Sequence, residues 1–145
     1  MTFLRILKDK SNLEGAAYIE LLPGKYTGQC WNKGSLFLDE ATFGFFEKII
    51  ERNLPDYDHY TFTEVSSTRW QPIIARLKSL ARDMGLARAL MDIPTDVHFY
   101  FNDTEQRFKK DFELNADLLR QVSTELAGWL DATLKHHEAV TILGL

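Results

Sequence analysis

The sequence predicts an α+β fold: a single domain over residues 1–145, with a mixed or antiparallel sheet and about three helices packed on it. Three observations lead there. Apolar residues recur every three or four positions from Trp70 to Met84 and again from Leu118 to Leu134, the spacing of helices that bury one face. Tyr60-Thr61-Phe62-Thr63-Glu64-Val65 alternates and is rich in β-formers, as a half-buried strand would be. Turn signals at Pro23-Gly24 and Asn32-Lys33-Gly34 separate short apolar runs early in the chain. The later helices would permit parallel crossovers, but hairpins at the start favour antiparallel pairing.

In chain order, Thr2 to Leu7 reads as a short strand. Ser11 and Glu14 have capping-box spacing, which would start a helix. The run Ala17 to Leu22, however, stops at Pro23-Gly24, a type II turn signal, and reads better as a strand. Tyr26 to Trp31 is then the expected return strand and Ser35 to Leu38 a further one. Asp39 is placed to cap a helix whose buried face is Phe43, Phe46, Ile49 and Ile50, widened by Phe45. Leu54-Pro55 ends it, because a proline disfavours the α conformation in the residue before it. Gly44 inside it weakens the helix by about 1 kcal/mol relative to alanine.

After the 60–65 strand, Ser66 or Ser67 caps the next helix. Pro72 sits in its first turn, where a missing N–H matters least, and Gly85 is a plausible stop. Leu86 to Pro94 is a connection with room for one helical turn. Val97 to Phe101 is an expected strand, and Thr104 to Leu114 either an excursion or a short helix. Asn115 is the expected cap of the last helix, with Lys135, His136 and His137 at its C-terminal end, where positive charge suits the helix dipole. Ala139 to Leu143 closes the chain as an apolar strand.

Composition narrows the function. The chain has 145 residues, 45% hydrophobic and 26% charged, with a formal net charge of −4, which is ordinary globular usage. A mildly acidic balance lacks the electrostatic footprint of a direct nucleic-acid binder. A single cysteine, Cys30, forms no internal disulfide, so no oxidising compartment is implied. The first residues lack the apolar core of a signal peptide, and no apolar run reaches the ~20 residues of a membrane span. The expected location is the cytoplasm.

No catalytic, metal or cofactor motif emerges. Neither G-x-G-x-x-G nor G-x-x-x-x-G-K-[ST] occurs, and Gly24 to Gly34 lacks the strand-to-helix context of a phosphate cradle. His136 and His137 are adjacent and so point to different faces, whereas zinc helices use histidines four apart. Cys30 with His59 or His98 could form a nucleophile and base, but between Gln29 and Trp31 the thiol reads as packed. The carboxylate pairs Asp39/Glu40, Asp56/Asp58 and Asp103/Glu105 sit in turn-like contexts where such groups are solvated. Arg69, Arg76, Lys78, Arg82 and Arg88 flank the apolar stripe of the second long helix and read as snorkelling side chains, with a patch for phosphate or an acidic partner as the alternative.

Several stretches carry a resemblance: Tyr18-Ile19-Glu20-Leu21, Gly28-Gln29-Cys30-Trp31-Asn32-Lys33-Gly34-Ser35-Leu36, Leu38-Asp39-Glu40, Trp129-Leu130 and Val140-Thr141-Ile142-Leu143-Gly144-Leu145. Together they resemble the small immunity proteins that accompany polymorphic or contact-dependent bacterial toxins. The resemblance implies a protein that is not an enzyme, needs no cofactor or metal, and binds and neutralises a cognate toxin. Many such toxins are nucleases with basic clefts, which an acidic surface would complement. Charge and expected exposure, rather than the resemblance, select Asp56, Asp58, Glu64, Asp103 and Glu105 as partner-binding residues, with Tyr57 and Tyr60 as aromatic anchors. Two other classes fit the same composition: a small enzyme with a motif-free site, and a regulatory or structural homo-oligomeric subunit.

Overall fold

A computed structural model of the chain describes residues 4–145. The order of elements is β1 (Tyr18–Pro23), β2 (Leu36–Asp39), α1 (Glu40–Asn53), β3 (Phe62–Ser66), α2 (Ser67–Leu86), α3 (Asn102–Lys110), α4 (Phe112–Thr133) and β4 (Ala139–Leu143), with 3-10 turns at Lys10–Asn12 and Leu90–Asp92. The four strands form one sheet in the order β2-β1-β4-β3, and every neighbouring pair is antiparallel. The fold is α+β, as expected, with four α-helices among the described residues rather than about three.

Alternation decides which face of the sheet each residue meets. Ile19, Leu21, Leu36, Leu38, Val65, Val140 and Ile142 point toward the helices and join the main core. The core is completed by Phe43, Phe46, Ile49 and Ile50 of α1, by Trp70, Ile73, Ile74, Leu77 and Leu80 of α2, and by Leu119, Val122, Leu126 and Leu130 of α4. Trp70 is the largest of these buried groups, and its indole N–H donates to the Val140 carbonyl at 3.1 Å, tying α2 to β4. All five residues of β4 are buried, four apolar and the fifth Thr141, whose hydroxyl donates to the Gly24 carbonyl at 2.7 Å.

On the opposite face, the loop between β1 and β2 packs over β1 and β2 through Trp31. Residues 26–31 form no strand, contrary to expectation, and β1 pairs directly with β2. Gly24 does take the positive φ, +81°, that the turn signal requires. The chain then wraps across the sheet instead of returning beside β1, because Glu20 captures it. That carboxylate, 1% exposed, accepts from the backbone N–H of Trp31 (2.6 Å) and Asn32 (3.0 Å), the Asn32 side-chain amide (3.0 Å) and the Ser35 hydroxyl (2.6 Å). It also holds Trp31 at φ 63°, a left-handed conformation that a bulky side chain adopts at a cost of about 1–2 kcal/mol. Trp31 thereby packs on Phe37 and Tyr18 of the outer face.

Other boundaries moved for local reasons. Residues 2 and 3 of the expected first strand lie outside the described residues; from the remainder, Leu7 makes a single antiparallel bridge to Phe37. Asp39 caps α1 as expected, accepting from the Thr42 N–H at 2.8 Å, and Ser66 caps α2 through the Arg69 N–H at 3.4 Å. α2 ends at Leu86, one residue beyond Gly85. Residues 97–101 form no strand: this segment lies over α1, where the His98 N–H meets the Phe45 carbonyl at 3.4 Å. Asn115 is not the cap of α4, which already starts at Phe112. Its side-chain amide instead donates to the carbonyls of Arg107 (3.0 Å) and Phe108 (3.3 Å), closing the C-terminal end of α3.

Candidate functional site

The most specific polar arrangement of the molecule is built on α1. Glu40, Gly44 and Glu47 stand at i, i+4 and i+7, so they form one stripe along the helix. Leu54-Pro55 ends α1, and the following turn brings His59 back against that stripe. The imidazole lies between the two carboxylates: Nε2 is 2.7 Å from Glu40 Oε2, and Nδ1 contacts Glu47 Oε2. The Tyr57 hydroxyl donates to the same Glu47 oxygen at 2.6 Å.

Gly44 allows the second half of the site to approach. A Cβ there would lie 2.6 Å from the Tyr100 Cβ. With only hydrogen in that place, Tyr100 packs on α1 and its ring stacks on His59, 5.0 Å between centroids and 9° between planes. Tyr60 meets the other side of the site edge-on to His59 at 4.9 Å, and its hydroxyl shares a hydrogen bond with that of Tyr100. Phe101 packs edge-on to Tyr100 at 4.8 Å. The backbone end of β4 fixes the His59 loop from below: Gly144 N–H donates to the Thr61 carbonyl (3.1 Å) and Leu145 N–H to that of His59 (3.0 Å). Gly144 is needed for this approach, since a Cβ would lie 2.6 Å from the Thr61 oxygen and closer still to that of His59.

Gly44→Ala is therefore expected to destabilise the protein, even though alanine is the better helix former. The new methyl meets the root of the Tyr100 side chain, which cannot rotate away. An overpacking penalty of about 1–3 kcal/mol opposes a propensity gain of about 1 kcal/mol. Urea denaturation of the variant, together with near-ultraviolet circular dichroism of its tyrosines, checks both the sign and the displacement of Tyr100.

Electrostatics follow from the donor and acceptor inventory. Ionised carboxylates only accept, so an imidazole can donate to a carboxylate at each nitrogen only when it carries both protons and is positively charged. Burial by itself would lower the His59 pKa; the hydrogen bonds to Glu47 and Glu40 outweigh it and hold the group above its ordinary value of 6.5. Burial and the Glu47 partner likewise push the Tyr57 hydroxyl far above the usual phenol range, and the Tyr60 hydrogen bond raises Tyr100. With both nitrogens engaged, the ring has no free lone pair to serve as a base toward a substrate.

No family model, curated protein or solved structure matches this chain. The geometry has to speak for the function.

The structure brings together some of the residues selected from sequence and separates others. Asp58 accepts from the Tyr60 N–H at 2.8 Å and shapes the exposed turn that presents Tyr60. Tyr60 is 67% exposed and Phe101 39%. Asp103 and Glu105 lie in the first turn of α3, just after Phe101, and Tyr60 is the one of these residues that acts directly on Tyr100. Glu105 is partly engaged by Lys109 at 3.4 Å. Tyr57 is corrected: it is half-buried, its ring packs near Phe43 and its hydroxyl is committed to Glu47, so it is not an exposed anchor. Asp56 pairs with Arg69 at the start of α2, and Glu64 projects from the outer face of β3, beside the exposed pair Phe62–Tyr26. Tyr100 and Phe101 were missed because they were assigned to a strand.

Cys30 is also corrected. It is exposed in the β1–β2 loop, not packed in a strand. It lines a hollow of about 190 Å3 with Glu20, Trp31 and Leu143 but with no histidine. Partial desolvation and then nearby Glu20 push its pKa up, so the thiol rather than the nucleophilic thiolate is favoured. Among the described residues, no group of three or more His, Cys, Asp or Glu is placed to hold a metal ion, and no helix is long and apolar enough to cross a membrane.

Proposed function

We propose that this chain is a non-enzymatic binding protein of the immunity type, which covers and neutralises a cognate bacterial toxin. The face it uses is the aromatic surface of Tyr60, Tyr100 and Phe101, flanked along the chain by the acidic residues Asp58, Asp103 and Glu105. One observation carries this reading: Tyr60, 67% exposed, stands in solvent on a hydrogen-bonded and stacked support rather than on a flexible stem. Exposed tyrosines held in place before binding lose little entropy on association, and they are typical anchors at protein interfaces. Carboxylates around them suit a basic surface such as a nuclease cleft, and steer it during encounter.

The test is affinity capture with the tagged chain from the organism of origin, under conditions in which toxins are expressed. One stoichiometric partner with a toxin domain, whose toxicity the chain suppresses, supports the reading. Tyr60→Ala should then weaken the complex by about 2 kcal/mol or more, roughly 30-fold. Asp103→Lys should lower the association rate about tenfold and reduce its salt dependence. Capture of no such partner, or a complex indifferent to both substitutions, would overturn it.

A further inference from the structure

We infer that His59 is the positioning residue of the Tyr60–Tyr100–Phe101 face, and that its proton latches the face in its binding shape. The inference rests on the binding reading for its biological meaning, but its structural content is independent of any partner.

The geometry is that of a keystone. Glu40 and Glu47 project from one stripe of α1 and both need a hydrogen-bond donor. Tyr57 supplies one to Glu47 alone. His59 serves both carboxylates only while both ring nitrogens carry hydrogen. Neutral imidazole keeps one N–H, so one of the two bridges must become a contact between an acceptor and an acceptor. That repulsion acts on a ring stacked flat on Tyr100 and met edge-on by Tyr60. The ring cannot turn to relieve it without disturbing one tyrosine or the other. The surroundings of His59 are otherwise fixed: Gly44 holds the Tyr100 root close, and the Gly144–Leu145 backbone pins residues 59 and 61. The titratable groups that face His59 are Glu40 and Glu47 from α1, Tyr60 from its own turn and Tyr100 from the segment over α1. Behind them stand Tyr57, on Glu47, and His98, whose ring meets Tyr100 edge-on at 6.4 Å.

The sign is definite. His59 is held protonated in the folded protein above its unfolded value, so the latch is closed below pH 6.5 and opens as pH rises through the folded pKa. The experiment follows the His59 ring and the Tyr60 and Tyr100 ring protons by NMR in the full chain from pH 5.5 to 9, where free tyrosine does not titrate. The expected result is one shared midpoint, above 6.5, for the imidazole and both tyrosines. Glu40→Gln removes one of the two charges that favour the proton and should lower that midpoint by on the order of one pH unit. His98→Gln should leave it in place. His59→Gln, if folded, should abolish the tyrosine transition; if it does not fold, the Glu40→Gln shift decides alone. Tyrosine signals that stay flat while His59 titrates, or a midpoint unmoved by Glu40→Gln, would overturn the latch. Either result stands whether or not affinity capture finds a toxin, so failure of the latch and failure of the binding reading are told apart.

Discussion

Glu20→Ala is expected to destabilise the protein by about 3 kcal/mol or more, because it strips a buried acceptor from several donors at once, the buried Ser35 hydroxyl among them. Hydrogen bonds to a charged acceptor contribute about 1.5–3 kcal/mol each, and a buried donor left unpaired costs about 1–3 kcal/mol. Four donors converge on this carboxylate. Half-buried Trp31 and Asn32 can recover water, which keeps the loss below the sum. The loss should be localised. Freed of Glu20, Trp31 relaxes from its left-handed φ, the loop lifts, and Tyr18, Phe37 and Leu143 are uncovered. Denaturant titration measures the stability. Hydrogen exchange should show faster exchange in residues 24–35, with β4 amides exchanging faster than in the parent chain. Glu20→Gln keeps one acceptor but turns an N–H2 toward the remaining donors, so it should recover only part of the loss. A Glu20→Ala protein as stable as the parent would mean that the loop is held mainly by the packing of Trp31.

Trp70→Ala should be worse, at about 3–5 kcal/mol, the range for emptying a large aromatic site from a core. The indole is 1% exposed and sits where α1, α2, α4 and the sheet meet. Its N–H donates to the Val140 carbonyl, so truncation also removes a buried hydrogen bond that ties α2 to β4. Against a total stability of about 5–15 kcal/mol, such a loss leaves a measurable unfolded population at 37 °C. Trp70→Phe separates the two parts: it keeps most of the volume and loses only the hydrogen bond, so its midpoint should lie between those of the parent and the alanine variant. A phenylalanine variant as unstable as alanine would assign most of the loss to the hydrogen bond.

Elements that obey local rules are legible in the sequence itself. Asp39 and Ser66 as caps, Pro55 as a stop, and the stripes of α1, α2 and α4 all depend on neighbours within a turn or two. Residues 26–31 and 97–101 were misread as strands for a common reason. Both contain aromatic and β-favouring residues, of which Trp31 in the first and Val97, Phe99 and Tyr100 in the second pack on apolar surface, but their backbones are held by distant groups: Glu20 in one case, the α1 surface at Gly44 in the other. Burial of side chains and pairing of backbone are separate conditions, and residue type reports only the first.

The site was legible in part. Of the residues selected for charge and exposure, Tyr60 stands beside Tyr100, Asp58 shapes the turn that presents it, and Asp103 and Glu105 follow Phe101 in the first turn of α3. Their support was invisible, because His59 finds its partners 12 and 19 residues back along the chain. One signal was available. Glu40, Gly44 and Glu47 make a polar, side-chain-poor stripe on a helix otherwise crowded with Phe43, Phe45, Phe46, Ile49 and Ile50. Such a stripe on a buried helix requires a donor and a closely packed neighbour from elsewhere.

The strand order carries a consequence for how the molecule comes into being. β1 and β3 touch β4 on either side, and β4 follows both in the chain by more than 70 residues. While a ribosome is still making α4, the β1–β2 hairpin and β3 have no bridge between them, and both present unpaired edges. Zipping up the sheet is therefore a late event that must bring distant parts of the chain together, a topology that favours slow folding. The nascent protein spends that interval with its stickiest surfaces open, which is when a chaperone would matter most to it.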